Sequence, residues 1–112
     1  MKIAIPLCNG RLSAHFGHCE QFAVVDADTE ARQISGTTLH TPPAHEPGVL
    51  PRWLAQMGVG VVLAGGMGGR AQQLFNQSGI DVITGVPEDV PDALARSYLE
   101  GRLVCGPNVC DH

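Results

Sequence analysis

The stretch Ser13-Ala14-His15-Phe16-Gly17-His18-Cys19 places two imidazoles and a thiol within seven residues of a polar, glycine-containing segment. Nitrogen and sulfur donors of this kind suit iron, copper or zinc. Cys8 stands just upstream, at the end of an apolar run, and can join them. The spacing lacks the paired ligands of a zinc finger. The same residues therefore also read as a loop held by hydrogen bonds from Ser13 and His15, with Phe16 plugging the core.

A second cluster is Gly65-Gly66-Met67-Gly68-Gly69-Arg70-Ala71. Glycines let the backbone approach a ligand closely, and the free N–H groups of a helix start attract anions. Arg70 adds a positive charge. Gly66-x-Gly68-x-x-Ala71 meets the loose dinucleotide fingerprint but not its context. The bend is not the first strand-to-helix turn, and Asp81 opens the following strand instead of ending it. Anion contact, or tight helix–sheet packing, is the better reading. Met67 has no helical face to serve inside such a bend, so it lines a pocket or covers an apolar edge.

The third cluster is Cys105-Gly106-Pro107-Asn108-Val109-Cys110-Asp111-His112, with two thiols, a carboxylate and an imidazole in one short segment. It could bind zinc, fold over a cluster, or be a frayed end with incidental thiols. His40 and His45 sit among prolines and read as surface residues. Catalytic patterns are missing: the sequence holds no G-x-S-x-G elbow, P-loop, H-E-x-x-H or Cys-x-x-Cys. Cys19 with His15 or His18 could form a nucleophile pair, yet no orienting third group is evident.

The elements that must position these clusters follow from periodicity. Lys2–Leu7 is a buried strand. Gln21–Asp26 and Gln33–Leu39, joined by a turn at Ala27–Glu30, form an antiparallel hairpin. The prolines of 40–48 make a connector. Leu50, Trp53, Leu54 and Met57 recur on one helical face, closed by Gly58. Val59–Ala64 is a strand covered on both faces. A helix bearing Ala71, Leu74, Phe75 and Ser78 stops at Gly79, and Ile80–Thr84 is a short strand. Pro87-Glu88-Asp89 opens a last helix through Val90, Ala93, Leu94 and Tyr98, which Gly101 ends. Strands alternating with helices in the second half imply parallel pairing, and the early hairpin adds antiparallel character. The expected architecture is a mixed five-stranded sheet between helices, with one domain over 1–102 and a cysteine-containing tail over 103–112.

Composition narrows the class. At 44% hydrophobic and 16% charged residues, the 112-residue chain is globular and not disordered. Seven basic against eleven acidic residues give 7 − 11 = −4, which argues against a nucleic-acid binder. No segment approaches the roughly 20 apolar residues of a membrane helix. The apolar start is broken by Pro6 and Asn9-Gly10, too soon for a signal-peptide core. A cytoplasmic setting is expected, with cysteines as thiols or metal ligands rather than disulfides.

Ser13-x-His15-Phe16-Gly17, Gly65-Gly66-Met67-Gly68 and Gly79-Ile80-x-Val82 with Gly85 come in an order and at separations that resemble the dinitrogenase iron–molybdenum cofactor biosynthesis family. That is the family of NifX and of the carboxyl-terminal domain of NifB. The likeness runs from about Lys2 to Tyr98. It implies a three-layer α/β/α, ribonuclease H-like fold. It further implies non-enzymatic binding or carriage of a metal–sulfur cluster, iron–sulfur or molybdenum-containing, molybdenum–copper included, exchanged with a donor or acceptor protein. Carried over, the pocket is Ser13, His15, Phe16, Gly17, Gly66, Met67 and Gly68. His18 and Arg70 add positive charge, and His15, His18, Cys19, Cys105, Cys110 and His112 are the candidate metal ligands. Two other classes remain: a zinc-stabilised interaction module built on the tail, and a nucleotide- or nucleic-acid-acting enzyme on a ribonuclease H-like fold. The latter would cluster carboxylates around two divalent ions, whereas Asp26, Asp28 and Glu30 lie in or beside a turn.

Overall fold

Residues 1–13, 19–43, 48–103 and 105–106 are described by the structure, a computed structural model. In chain order the elements are β1 (Lys2–Cys8), β2 (Arg11–Leu12), β3 (Gln21–Asp28), β4 (Gln33–His40), α1 (Val49–Gln56), β5 (Val59–Leu63), α2 (Gly69–Gln77), β6 (Asp81–Ile83) and α3 (Pro91–Leu99). The strands form one sheet in the order β4-β3-β1-β5-β6, with β2 beside β1. β3 runs antiparallel to both β1 and β4, while β1, β5 and β6 are parallel. This is the mixed α/β architecture that the periodicity implies, and it agrees with the ribonuclease H-like fold that the resemblance implies.

Alternation along the strands divides the core into two layers. Ala4, Phe22, Val24 and Val62 face α1 and α2, where they meet Leu50, Leu54 and Phe75. Ile3, Ile5, Ala23, Val25, Val61 and Leu63 face the other way, onto Leu94 and Ala95 of α3. A period of two makes each strand contribute to both layers. β1 is covered on both sides and has five consecutive buried residues. The sheet shifts register between Lys2 and Ile3, which pair with Val59 and Val61, so Gly60 is the extra residue of a bulge.

Three expectations are corrected. The sheet has six strands, not five: Asn9 and Gly10 both adopt left-handed backbone, φ 57° and φ 80°, and fold Arg11–Leu12 back onto the end of β1. Two left-handed residues in a two-residue loop make a type I′ hairpin. The last helix begins at Pro91, not near Pro87, because a residue preceding proline is driven out of the helical region. Val90 is accordingly extended, φ −70° and ψ 146°, with Pro91 in the first turn. Asp92, not Glu88 or Asp89, is the acidic residue of that turn. Ser78 is exposed and lies beyond α2, so it takes no part in the buried face of that helix.

The α2 layer is held by Phe75, which is fully buried. Phe75→Ala should lower the unfolding free energy by about 3–5 kcal/mol. Gln73→Ala, on the exposed side of the same helix, should stay within about 0.5 kcal/mol. Denaturant midpoints of the two variants check both values.

Candidate functional site

The parallel strands β1, β5 and β6 deliver their loops to one edge of the sheet, the carboxyl edge, where ligands of open α/β sheets bind. Backbone hydrogen bonds knit those loops together. The Ser13 N–H donates to the Pro6 carbonyl at 2.8 Å and the Glu20 N–H to the Leu7 carbonyl at 2.8 Å, so both ends of segment 13–20 are pinned to β1. The Leu12 N–H reaches the Asp89 carbonyl at 2.9 Å, tying the β1 hairpin to the β6–α3 connection. The Gly85 N–H donates to the Gly65 carbonyl at 2.8 Å and the Val86 N–H to the Ala64 carbonyl at 3.1 Å, joining the loops after β5 and β6. Ser13 is buried, 6% exposed, at the point where these loops meet.

The glycine-rich bend has a buried half and an open half. Gly65, Gly66 and Met67 are buried, Gly68 is half-buried, and Gly69 and Arg70 are exposed. Met67 is 1% exposed and packs in the α1–α2 layer with Cys19 and Phe75. Its side chain is therefore core, and what it offers the edge is backbone. The Gln72 side-chain amide donates to the Met67 carbonyl at 2.9 Å, fixing the end of the bend. Gly68, extended at φ −64° and ψ 154°, begins α2, and no side chain caps it. The first-turn N–H groups of a helix have no intrahelical acceptor, and here they carry no acidic neighbour in the turn, while Arg70 stands beside them. That combination favours an anion at the edge.

The other side of the edge is different. The Cys8 thiol is pushed up first by its hydrogen bond to the Glu20 carboxylate, then by burial and by the charges of Glu20 and Glu88. Glu20 also accepts the Asn9 N–H at 3.1 Å. Cys19 is 8% exposed, and burial pushes its thiol from 9.0 up to about 11, with a smaller push from Cys8. Neither is a ready thiolate, because the thiolate form is the ligand and nucleophile. Cys105 is exposed. His40 is half-buried and not a plain surface residue: its ring meets the Trp53 ring edge-on at 6.2 Å, and its Nε2 lies 2.9 Å from the Thr38 hydroxyl.

Of the residues singled out from sequence, Ser13, Gly66, Met67, Gly68, Arg70, Cys19 and Cys105 are described, whereas His15, Phe16, Gly17, His18, His45, Cys110 and His112 lie outside the described residues. Among the described residues no three of His, Cys, Asp and Glu converge as a metal site, and no helix is long and apolar enough to cross a membrane. A groove of about 280 Å³ lined by Arg32, Gln33, Ile34, Arg96 and Glu100 lies at the opposite, amino edge, where β4 starts and α3 ends. Sequence reasoning passed over Leu12, Gly85 and Asp89 as parts of the carboxyl edge. Asn9-Gly10, a strong hairpin signal, was available to find the first of them.

The chain matches the family described as "Dinitrogenase iron-molybdenum cofactor" over residues 1–101. It belongs to that dinitrogenase iron–molybdenum cofactor family. An uncharacterized protein of Methanocaldococcus jannaschii is 35% identical over 107 residues, spanning 92% of this chain and 89% of the relative. The crystal structure of PH0822 superposes with a TM-score of 0.83 at 31% identity, over 95% of this chain and 96% of the other. The apo form of the orange protein from Desulfovibrio gigas superposes with a TM-score of 0.73 at 25% identity, over 96% and 93%.

Cys19 also gives the fold a pH dependence of known sign. A thiol whose pKa rises on folding stabilises the fold fully below the unfolded value and ceases to do so as pH passes the folded value. Stability should therefore decline between about pH 9 and 11 through this group. Denaturant midpoints across that range should fall less steeply for Cys19→Ala than for the parent.

Proposed function

We propose that this protein binds and carries, without turnover, an anionic metal–sulfur cluster of iron–sulfur or molybdenum-containing type, and passes it between a donor and an acceptor protein. Four features support this reading: family membership, the likeness to the orange protein, the knitted carboxyl edge, and the uncapped start of α2 beside Arg70. The single observation that carries it is the joining of the Gly65 bend to the loop after β6 by a backbone hydrogen bond, with the β6–α3 connection tied in turn to the β1 hairpin through Leu12 and Asp89. Those bonds hold a row of peptide groups at one place.

The cargo is taken as a preformed anion. Backbone N–H groups at Gly68–Arg70 and the Arg70 guanidinium supply hydrogen bonds and field, each helix-start contact being worth about 0.3–1 kcal/mol when exposed and more when partly buried. Ser13 holds the base of the segment that carries His15, Phe16, Gly17 and His18, and those histidines furnish nitrogen donors to the metal. Gly66 and Met67 contribute backbone only. Binding through field and one or two metal bonds leaves release possible, as a carrier requires. A reducing, cytoplasmic setting keeps the cysteines as thiols.

Anaerobic mixing with tetrathiomolybdate, followed by gel filtration and molybdenum and sulfide analysis, tests the proposal. The parent protein should retain the anion, and retention should weaken as ionic strength rises. Arg70→Glu should weaken binding by about tenfold, near 1.4 kcal/mol. His15→Ala with His18→Ala should weaken it further. A parent protein that retains neither this anion nor a reconstituted iron–sulfur cluster would sink the reading.

A further inference from the structure

The segment after α3 is docked, and it returns to the candidate site. α3 ends at the amino edge, where Glu100 shares a groove with Gln33 at the start of β4. The chain reverses at Gly101, whose φ is 71°, and the Arg102 N–H closes the turn on the Ser97 carbonyl at 2.8 Å. Leu103, half-buried, packs on the α3 layer with Tyr98 and Leu99. By Gly106 the chain has reached the carboxyl edge, where the Gly106 N–H donates to the Gly85 carbonyl at 2.6 Å. Gly85 is itself bonded to Gly65 of the glycine-rich bend. At Gly106 the chain is thus two hydrogen bonds, by way of Gly85, from the bend.

The contact is built from two glycines. A Cβ on Gly85 would collide with the Gly106 carbonyl, and φ at Gly85 is +76°, a conformation L side chains rarely adopt. Any other residue at 85 must push the segment away. Cys105, exposed, is carried to this rim by its neighbour's hydrogen bond.

We infer that residues 101–103 and 105–106 belong to a strap, clipped at Gly106–Gly85, that closes one side of the carboxyl edge and slows departure of the cargo. This rests on the proposed function for the nature of the cargo. The clip is one backbone hydrogen bond between half-buried and exposed glycines. Its opening frees residues 105–106 while Leu103 keeps its place on the α3 layer, so the end of the strap can lift while the domain stays folded.

Two variants break the clip from opposite sides. Gly85→Ala introduces the colliding Cβ. Gly106→Pro removes the donor N–H while leaving the domain untouched. Gly106→Pro is loaded with tetrathiomolybdate, and its visible absorption is followed after transfer into probe-free buffer. Amide hydrogen exchange at residue 106 is measured on the parent and on Gly85→Ala. The Gly106 amide should be protected in the parent and lose that protection in Gly85→Ala. Gly106→Pro should load to the parent stoichiometry and release the probe about two- to tenfold faster, the range expected for loss of one net hydrogen bond. Equal or slower release from Gly106→Pro, or an unprotected Gly106 amide in the parent, overturns the strap while leaving cargo binding standing. Failure of the parent itself to load is the distinct result that removes the proposed function and the strap with it.

Discussion

The arrangement of the carboxyl edge depends on two hydrogen bonds made beyond the ends of β5 and β6, from Gly85 to Gly65 and from Val86 to Ala64. They join the residues just past Leu63 and Ile83, which would otherwise be free loop. Held in this way, Ala64, Gly65 and Gly66 are buried, and the chain turns outward at Gly68. The start of α2 thereby falls at the rim. An uncapped helix start buried inside the protein would leave its N–H groups without acceptors. At the rim they meet water or a ligand.

The same edge is electrically uneven. Around the end of β1, Glu20 and Glu88 both act on Cys8 and hold it protonated. Around the start of α2, Arg70 and the amide ends present positive charge with no acidic residue in that turn. A chain of net charge −4 can thus offer an anion a favourable place a few residues from an unfavourable one. Screening over about 8–10 Å at ordinary salt keeps the net charge from deciding the matter, because only the nearest groups are felt strongly.

Periodicity made most of the fold legible. The apolar runs in Lys2–Leu7 and Gln21–Asp26, and the Leu50, Trp53, Leu54, Met57 stripe, each lie where the core needs them. The errors arose where a local backbone rule outweighed the apolar pattern. Asn9-Gly10 is a hairpin turn, and reading it only as an interruption hid β2. Val90-Pro91 sets the start of α3, and reading Pro87-Glu88-Asp89 as the opening turn placed that start too early. Met67 exposed the limit of motif reasoning. Its place among glycines suggested a pocket wall or a cover over an apolar edge, but whether a side chain in a bend turns in or out depends on how the bend is held. Part of that hold comes from Gly85, some twenty residues away, and no local pattern encodes it.

The burial of Cys19 and Met67 in the α1–α2 layer bears on what sort of carrier the edge could make. Deep thiolate and thioether ligation would tie release of a metal to unpacking of the core, whose large side chains cost about 2–5 kcal/mol each to expose. With those sulfurs in the core and protonated or uncharged, the described groups around the start of α2 are amides and a guanidinium, with the segment reaching Gly106 beyond them. Contacts of that kind are individually weak and break one at a time. Under the proposed function, affinity would then come from the number of such contacts rather than from any single bond. A second protein could take the cargo by replacing them in turn, with both layers of the core intact throughout.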